Sequence, residues 1–320
     1  MRSAGWSSVA VVATLLSLDA TGAARGRENQ DPQRPVFRST AAAVAVDVAV
    51  RNKAGRPVTG LTADDFELLD NGVAQKIDTI SYGKLPIDVT IGLDASHSVT
   101  GRMLDRLRRA VSQLMRDLQK DDRLKLMLFN QRIARVVDFT TDVKTVEAAM
   151  STISAGGSTA LRDAISVALV SAAEPDRRQL VVFFTDGSDS SSTTSDDVLM
   201  TVAQRTRATL AFVMPGASTS RRVITSSMPG VPSITTSMTR PDSYPPLLRR
   251  LAAETGGRVL PVGGQVDLGA AFRRVLGDFR TTYVLYYTPR GVETGGYHTL
   301  EVRTAREDTQ VQARRGYFGS

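Results

Sequence analysis

Residues 87–98 read Ile-Asp-Val-Thr-Ile-Gly-Leu-Asp-Ala-Ser-His-Ser. The first seven are a short, mostly apolar run of the kind that forms a buried strand. The next five place one carboxylate (Asp94) and two hydroxyls (Ser96 and Ser98) where that strand stops. An Asp-x-Ser-x-Ser spacing lets a single turn present three oxygens together. Hard divalent cations such as Mg2+ take oxygen ligands in near-octahedral geometry and keep some positions for water or an incoming group. The stretch therefore reads as half of a metal site. Beyond it, Leu104, Leu107, Val111, Leu114 and Leu118 recur at the spacing of a helix with one buried face.

Two later segments offer what such a half-site lacks. Gly156-Gly157-Ser158-Thr159-Ala160-Leu161 carries a hydroxyl on a glycine-rich turn ahead of a helix, and Leu180 to Phe184 is a second buried-looking strand followed by Thr185-Asp186-Gly187. Each piece alone has an ordinary reading. Asp-Ala-Ser-His-Ser and Thr159 both suit helix caps, and Asp186-Gly187 suits a strand-ending turn. A cap, however, has no need of matching partners at two other strand ends. Taken in order, the three segments resemble the metal-ion-dependent adhesion site of the von Willebrand factor type A (VWA) family. The resemblance implies that Asp94, Ser96, Ser98, Thr159 and Asp186 hold one Mg2+, with Mn2+ as the alternative ion.

Strand and helix patterns alternate through the middle of the chain. Helices are expected over 104–118, 143–153, 160–173, 196–206, 247–255 and 268–279, and strands over 87–93, 124–129, 180–184, 209–214 and 259–262. This alternation predicts an α/β, doubly wound, mainly parallel, Rossmann-like sheet with ligands bound beyond the carboxyl ends of its strands. Residues 85–280 are assigned to this VWA domain. The ends differ. Val44, Val46, Val48 and Val50 alternate, 64–72 reads as a strand entering a hairpin turn with 75–81 returning, and 282–288, 297–303 and 309–317 are rich in strand formers. The segments 36–83 and 281–320 are expected to pair into a flanking β-sandwich-like region. Gly60-Leu-Thr-Ala-Asp-Asp-Phe66 and Arg314-Arg-Gly-Tyr-Phe318 extend the resemblance to a secreted, acidobacterial group of VWA proteins.

Composition narrows the function classes. Residues 1–24 resemble a secretory signal peptide, with Arg2, an apolar stretch from Val9 to Leu18, and Gly22-Ala23-Ala24 before Arg25. The chain contains no cysteine, which excludes disulfides and lipobox attachment, and the expected location is secreted or periplasmic in a bacterial envelope. No later segment has the roughly 20 apolar residues of a membrane span. The net charge of +7 is spread as arginines among acids, so no nucleic-acid partner is expected. The stretch 215–241 follows a strand end on the expected metal face and carries Arg221, Arg222 and Arg240 with no acid. It reads either as a low-complexity loop or as a basic rim that selects an acidic partner. His97 and His298 are the only histidines and suggest neither a zinc site nor a Ser-His-Asp triad.

The resemblance implies an exported, cation-dependent protein-binding module of adhesion or assembly type, its metal completed by an exposed Asp or Glu of a protein partner. One alternative is a structural envelope component whose metal serves the fold alone. The other is a metal-dependent hydrolase, for which no positioned general base is evident. No enzyme activity is expected.

Overall fold

The structure of the chain is a computed structural model, which describes residues 43–97, 99, 101–170, 174, 176–215, 222–226, 234–238, 245–263 and 267–319. All belong to one compact unit, Ala41–Ser320. The expected signal segment 1–24, and Ser98 of the candidate site, lie outside the described residues.

The first strands are β1 (Val44–Asn52), β2 (Phe66–Asp70), β3 (Val73–Gln75) and β4 (Ile77–Tyr82). The central region then runs β5 (Ile87–Asp94), α1 (Arg102–Asp117), β6 (Arg123–Phe129), β7 (Ile133–Thr140), α2 (Val143–Ser151), α3 (Leu161–Leu169), β8 (Arg178–Phe184), α4 (Asp196–Arg205) and β9 (Thr209–Pro215). It continues through β10 (Arg222–Ser226), β11 (Ile234–Met238), α5 (Pro246–Glu254), β12 (Val259–Val262) and α6 (Leu268–Arg280). The last strands are β13 (Tyr283–Tyr287), β14 (Gly296–Thr304), β15 (Thr309–Ala313) and β16 (Gly316–Gly319).

The central sheet has the order β12-β9-β8-β5-β6-β7 and is parallel except for the β6–β7 hairpin at its edge. Helices α1, α2 and α6 pack on one face and α3, α4 and α5 on the other, so the sheet is doubly wound. All eight residues of β5 are buried. Its two faces are unequal, and that difference places the site. Val89, Ile91 and Leu93 enter the first core. Thr90, Gly92 and Asp94 alternate with them, which turns them to the other face. There the ring of Phe183 lies over Gly92, between Phe129 and Phe212 at centroid distances of 5.5 and 6.2 Å. A Cβ at Gly92 would sit 2.5 Å from that ring. Gly92→Ala is therefore expected to cost about 1–3 kcal/mol through overpacking, measured as a lower denaturation midpoint with an unchanged far-ultraviolet spectrum.

The terminal strands build two four-stranded sheets, β15-β1-β13-β4 and β16-β14-β2-β3. Val46, Val48, Leu68, Leu285, Tyr283 and Tyr287 from both sheets share one buried cluster. The two sheets thus form a sandwich drawn from both ends of the chain. Arg178, at the start of β8, ties it to the central domain: Nε donates to Asp47 of β1 at 2.8 Å, and the guanidinium lies 3.9 Å over the Phe279 ring of α6.

Four details differ from the sequence expectation. The segment 133–140 is an antiparallel edge strand for which no element is expected. Residues 75–81 do not return as one strand. After the Asn71-Gly72 turn, whose positive φ values of 47° and 79° suit a tight hairpin, β3 pairs with β2. The chain then crosses at Lys76 so that β4 pairs with β13 in the other sheet. The final stretch divides at Arg314-Arg315 into β15 and β16, which pair with β1 and β14 respectively. Finally, 215–241 contains an antiparallel ribbon, β10 with β11, whereas Arg221 and Arg240 lie outside the described residues.

Candidate metal site

Asp94 is the last residue of β5, and on the neighbouring β8 the strand ends at Phe184, two residues before Asp186. Both carboxylates therefore lie at the carboxyl edge of adjacent parallel strands. The Asp94 carboxylate is 1% exposed. One oxygen accepts from the Ser96 backbone N–H at 2.9 Å and the other from the Thr185 hydroxyl at 3.2 Å. Asp186 is exposed, and one of its oxygens accepts from the Ser188 N–H at 2.8 Å.

The glycine-rich segment is stitched to this edge by the backbone. Gly156 N–H donates to Ala95 O at 2.7 Å, and His97 N–H donates to Gly157 O at 3.3 Å. Asn130, just past β6, accepts from Ala160 N–H at 2.8 Å and donates its side-chain amide to Gly156 O at 2.9 Å. Thr159, 6% exposed, is bonded in turn to the segment after Asp186. Its N–H donates to Ser190 Oγ at 3.0 Å, and its carbonyl accepts from the N–H groups of Ser190 and Ser191 at 2.8 and 3.0 Å. The segments carrying Asp94 and Ser96, Thr159, and Asp186 are thus joined pairwise into a closed ring.

Electrostatics at this edge are unbalanced. Burial raises the Asp94 pKa above the ordinary carboxylate range; hydrogen bonds from Ser96 and Thr185 oppose that rise, and the negative charge of Asp186 reinforces it. Among the described residues, the main causes of the shift include no cationic side chain. A buried carboxylate facing a second acid, among hydroxyls, is a donor set that fits a hard cation. Among the described residues no group of three or more His, Cys, Asp or Glu side chains gathers as a metal cluster. The set here has two acids, and its remaining donors are hydroxyls.

Asp189, which reads in the sequence as a solvated turn residue with a role in cation binding as the alternative, is engaged in the structure. It accepts from Arg162 N–H at 2.9 Å, Arg162 Nε at 3.3 Å and Ser192 Oγ at 2.7 Å. Burial alone would raise its pKa, but the bonds from Ser192 and Arg162 outweigh burial and hold it below the ordinary range. Local pattern does not pair Asp189 with Arg162, which lies 27 residues away in the sequence.

Residues 89–188 match the sequence model of the von Willebrand factor type A domain. An uncharacterized protein of Synechocystis sp., sll0103, is 29% identical over 111 residues, a match that covers 33% of this chain and 26% of that relative's length. Among solved structures, a von Willebrand factor type A protein from Catenulispora acidiphila aligns at 13% identity over 88% of this chain and 74% of its own, with a TM-score of 0.48. The PilB minor pilin from Streptococcus sanguinis aligns at 12% identity over 62% of each chain, with a TM-score of 0.46.

Proposed function

Starting from a chain that carries a von Willebrand factor type A domain, we propose that it is an exported, divalent-cation-dependent protein-binding module. Asp94, Ser96, Ser98 and Thr159 would hold one Mg2+ (or Mn2+), with Asp186 bound directly or through water. The observation that carries this reading is the Asp94 carboxylate, buried beside a second acid with no cation among the main causes of its raised pKa in the described residues. The bound ion supplies an electrophilic centre. Two carboxylates neutralise two charges at most and leave the centre able to attract one more. An Asp or Glu side chain on a partner suits that role, because a carboxylate adds both charge and a hard oxygen donor. The surrounding loops, including the β10–β11 ribbon that follows β9, would select among partners. Among the described residues no helix is long and apolar enough to cross a membrane.

Two measurements test this. A short peptide with a central Glu, titrated into the full chain, is expected to bind with Mg2+ and to lose binding with chelator or when Glu is replaced by Gln. Binding indifferent to both changes would remove the carboxylate-completion mechanism. Second, Mg2+ competes with a proton for Asp94, whose pKa is raised by burial and by Asp186. Mg2+ affinity should therefore rise as pH increases through that pKa and level off above it, which calorimetry at a series of pH values reads directly. A flat profile would place the ion elsewhere.

A further inference from the structure

The backbone of Thr159 is held on both sides by one short segment. Its N–H donates to Ser190 Oγ, and its carbonyl receives the N–H groups of Ser190 and Ser191. That segment begins four residues after Asp186. It is in turn locked onto the first turn of α3, where Asp189 takes the Arg162 N–H and Nε. Asp163, in that same turn, takes the backbone N–H of Thr193 at 3.0 Å and of Thr194 at 2.8 Å. The Asp163 N–H donates to Ser192 Oγ at 3.3 Å. Thr159 and Asp186 come from segments 27 residues apart, yet these bonds join the Thr159 backbone to the segment that follows Asp186.

We infer that Asp189 and Ser190 are positioning residues for the metal site: they set Thr159 against Asp186 before the cation arrives. The inference rests on the metal reading proposed above. A ligand pair assembled in advance spares the ion the ordering entropy of two loops, so the clamp enters the binding constant as well as the stability of the fold. Asp189 does this through α3, with its carboxylate consumed by Arg162 and Ser192 and thus withheld from the ion. Ser190 does it through its hydroxyl and its backbone N–H together.

The test is calorimetric titration of Mg2+ into the full chain and its Ser190→Ala, Ser190→Thr, Asp189→Ala and Asp94→Ala variants, with the unfolding temperature of each recorded in chelator. Removing outer partners of metal ligands commonly weakens binding by about 10–100-fold. Ser190→Ala is expected near the lower end of that range and Asp189→Ala further up, with Ser190→Thr, which keeps the acceptor for the Thr159 N–H, close to wild type. A merely structural clamp would lower the metal-free unfolding temperature and leave the affinity unchanged. If both alanine variants bind Mg2+ as wild type does while Asp94→Ala does not, the positioning role is overturned and the metal site stands. If Asp94→Ala binds normally, or wild type does not bind, the metal reading itself fails. Should Asp189→Ala not fold, Ser190→Ala decides the matter, since it deletes one oxygen from an exposed loop residue.

Discussion

Asp94→Asn is expected to abolish saturable Mg2+ binding and, at the same time, to leave the metal-free chain at least as stable as wild type at neutral pH. The two effects share one cause. In the absence of a cation, Asp94 is an almost fully buried carboxylate next to Asp186, and its pKa is raised by burial and by that second charge. A carboxylate whose folded pKa lies above its unfolded value contributes most at low pH, and that contribution is lost as pH rises through the folded pKa. At neutral pH the ionised group therefore burdens the metal-free fold. Asparagine keeps one oxygen for the Ser96 N–H, turns its amide N–H toward the Thr185 hydroxyl oxygen, and removes the charge. It also removes the central anionic ligand. Because outer partners alone account for about 10–100-fold in metal affinity, the loss for a direct ligand should be at least about 100-fold. Thermal unfolding with chelator and with excess Mg2+ checks both halves. Wild type should gain stability with Mg2+, as any ligand of the native state provides, and Asp94→Asn should not. A variant less stable than wild type in chelator but still stabilised by Mg2+ would reverse the assignment.

The second large effect lies far from the metal site. Asp70, at the end of β2, is fully buried in the sandwich and accepts three bonds: from Tyr287 OH at 2.8 Å, from Tyr317 OH at 2.9 Å, and at His298 Nδ1, 2.8 Å away. His298 is 1% exposed, and its Nε2 has no partner among the described residues. This assigns the proton on Nδ1 to the carboxylate. Burial, together with the bonds to Tyr317 and Asp70, pushes the Tyr287 pKa upward, and burial is the main cause of the rise of Tyr317 to about 12. Both phenols thus remain donors across the physiological range. Asp70→Ala would remove the acceptor shared by two hydroxyls and one ring nitrogen in a closed core, leaving these three groups only one another as partners. Each buried donor left unpaired costs about 1–3 kcal/mol. Chemical denaturation followed by circular dichroism should show that loss, with Tyr317→Phe, which deletes a single bond, nearer to about 1 kcal/mol. A loss below about 1 kcal/mol for Asp70→Ala would mean that water replaces the network.

Much of the central domain was legible because its elements are long and strongly periodic: the α1 stripe from Leu104 to Leu118 and the buried run of β5 each have one reading. Edge strand β7 was missed although Ile133, Val137 and Phe139 share its odd-numbered positions, because Arg135 interrupts that set and an edge strand requires only one buried face. The division at Lys76 was invisible for another reason. Local pattern identifies strands but not the sheet each one joins, and here consecutive strands part company. For the candidate site, the placement of Asp94, Thr159 and Asp186 at strand ends and a helix start was readable in the sequence. The clamp through Asp189 and Ser190 and the Asp70–His298 network were not, since both depend on partners tens to hundreds of residues away.

Tyr82, at the end of β4, pairs directly with Tyr283, at the start of β13. The central domain therefore leaves and re-enters the sandwich at neighbouring points, an insertion of some 200 residues whose two stalks are zipped together. One consequence is kinetic. Strand β1 cannot gain either of its neighbours, β13 and β15, until the whole insertion has been made, so the sandwich closes last and pays loop-closure entropy that shrinks if the inserted domain has already folded. The other consequence is mechanical. Tension applied between β1 and the carboxyl-terminal strands would load the sandwich first and bypass the inserted domain, leaving the metal edge unstressed while the stalks stay zipped.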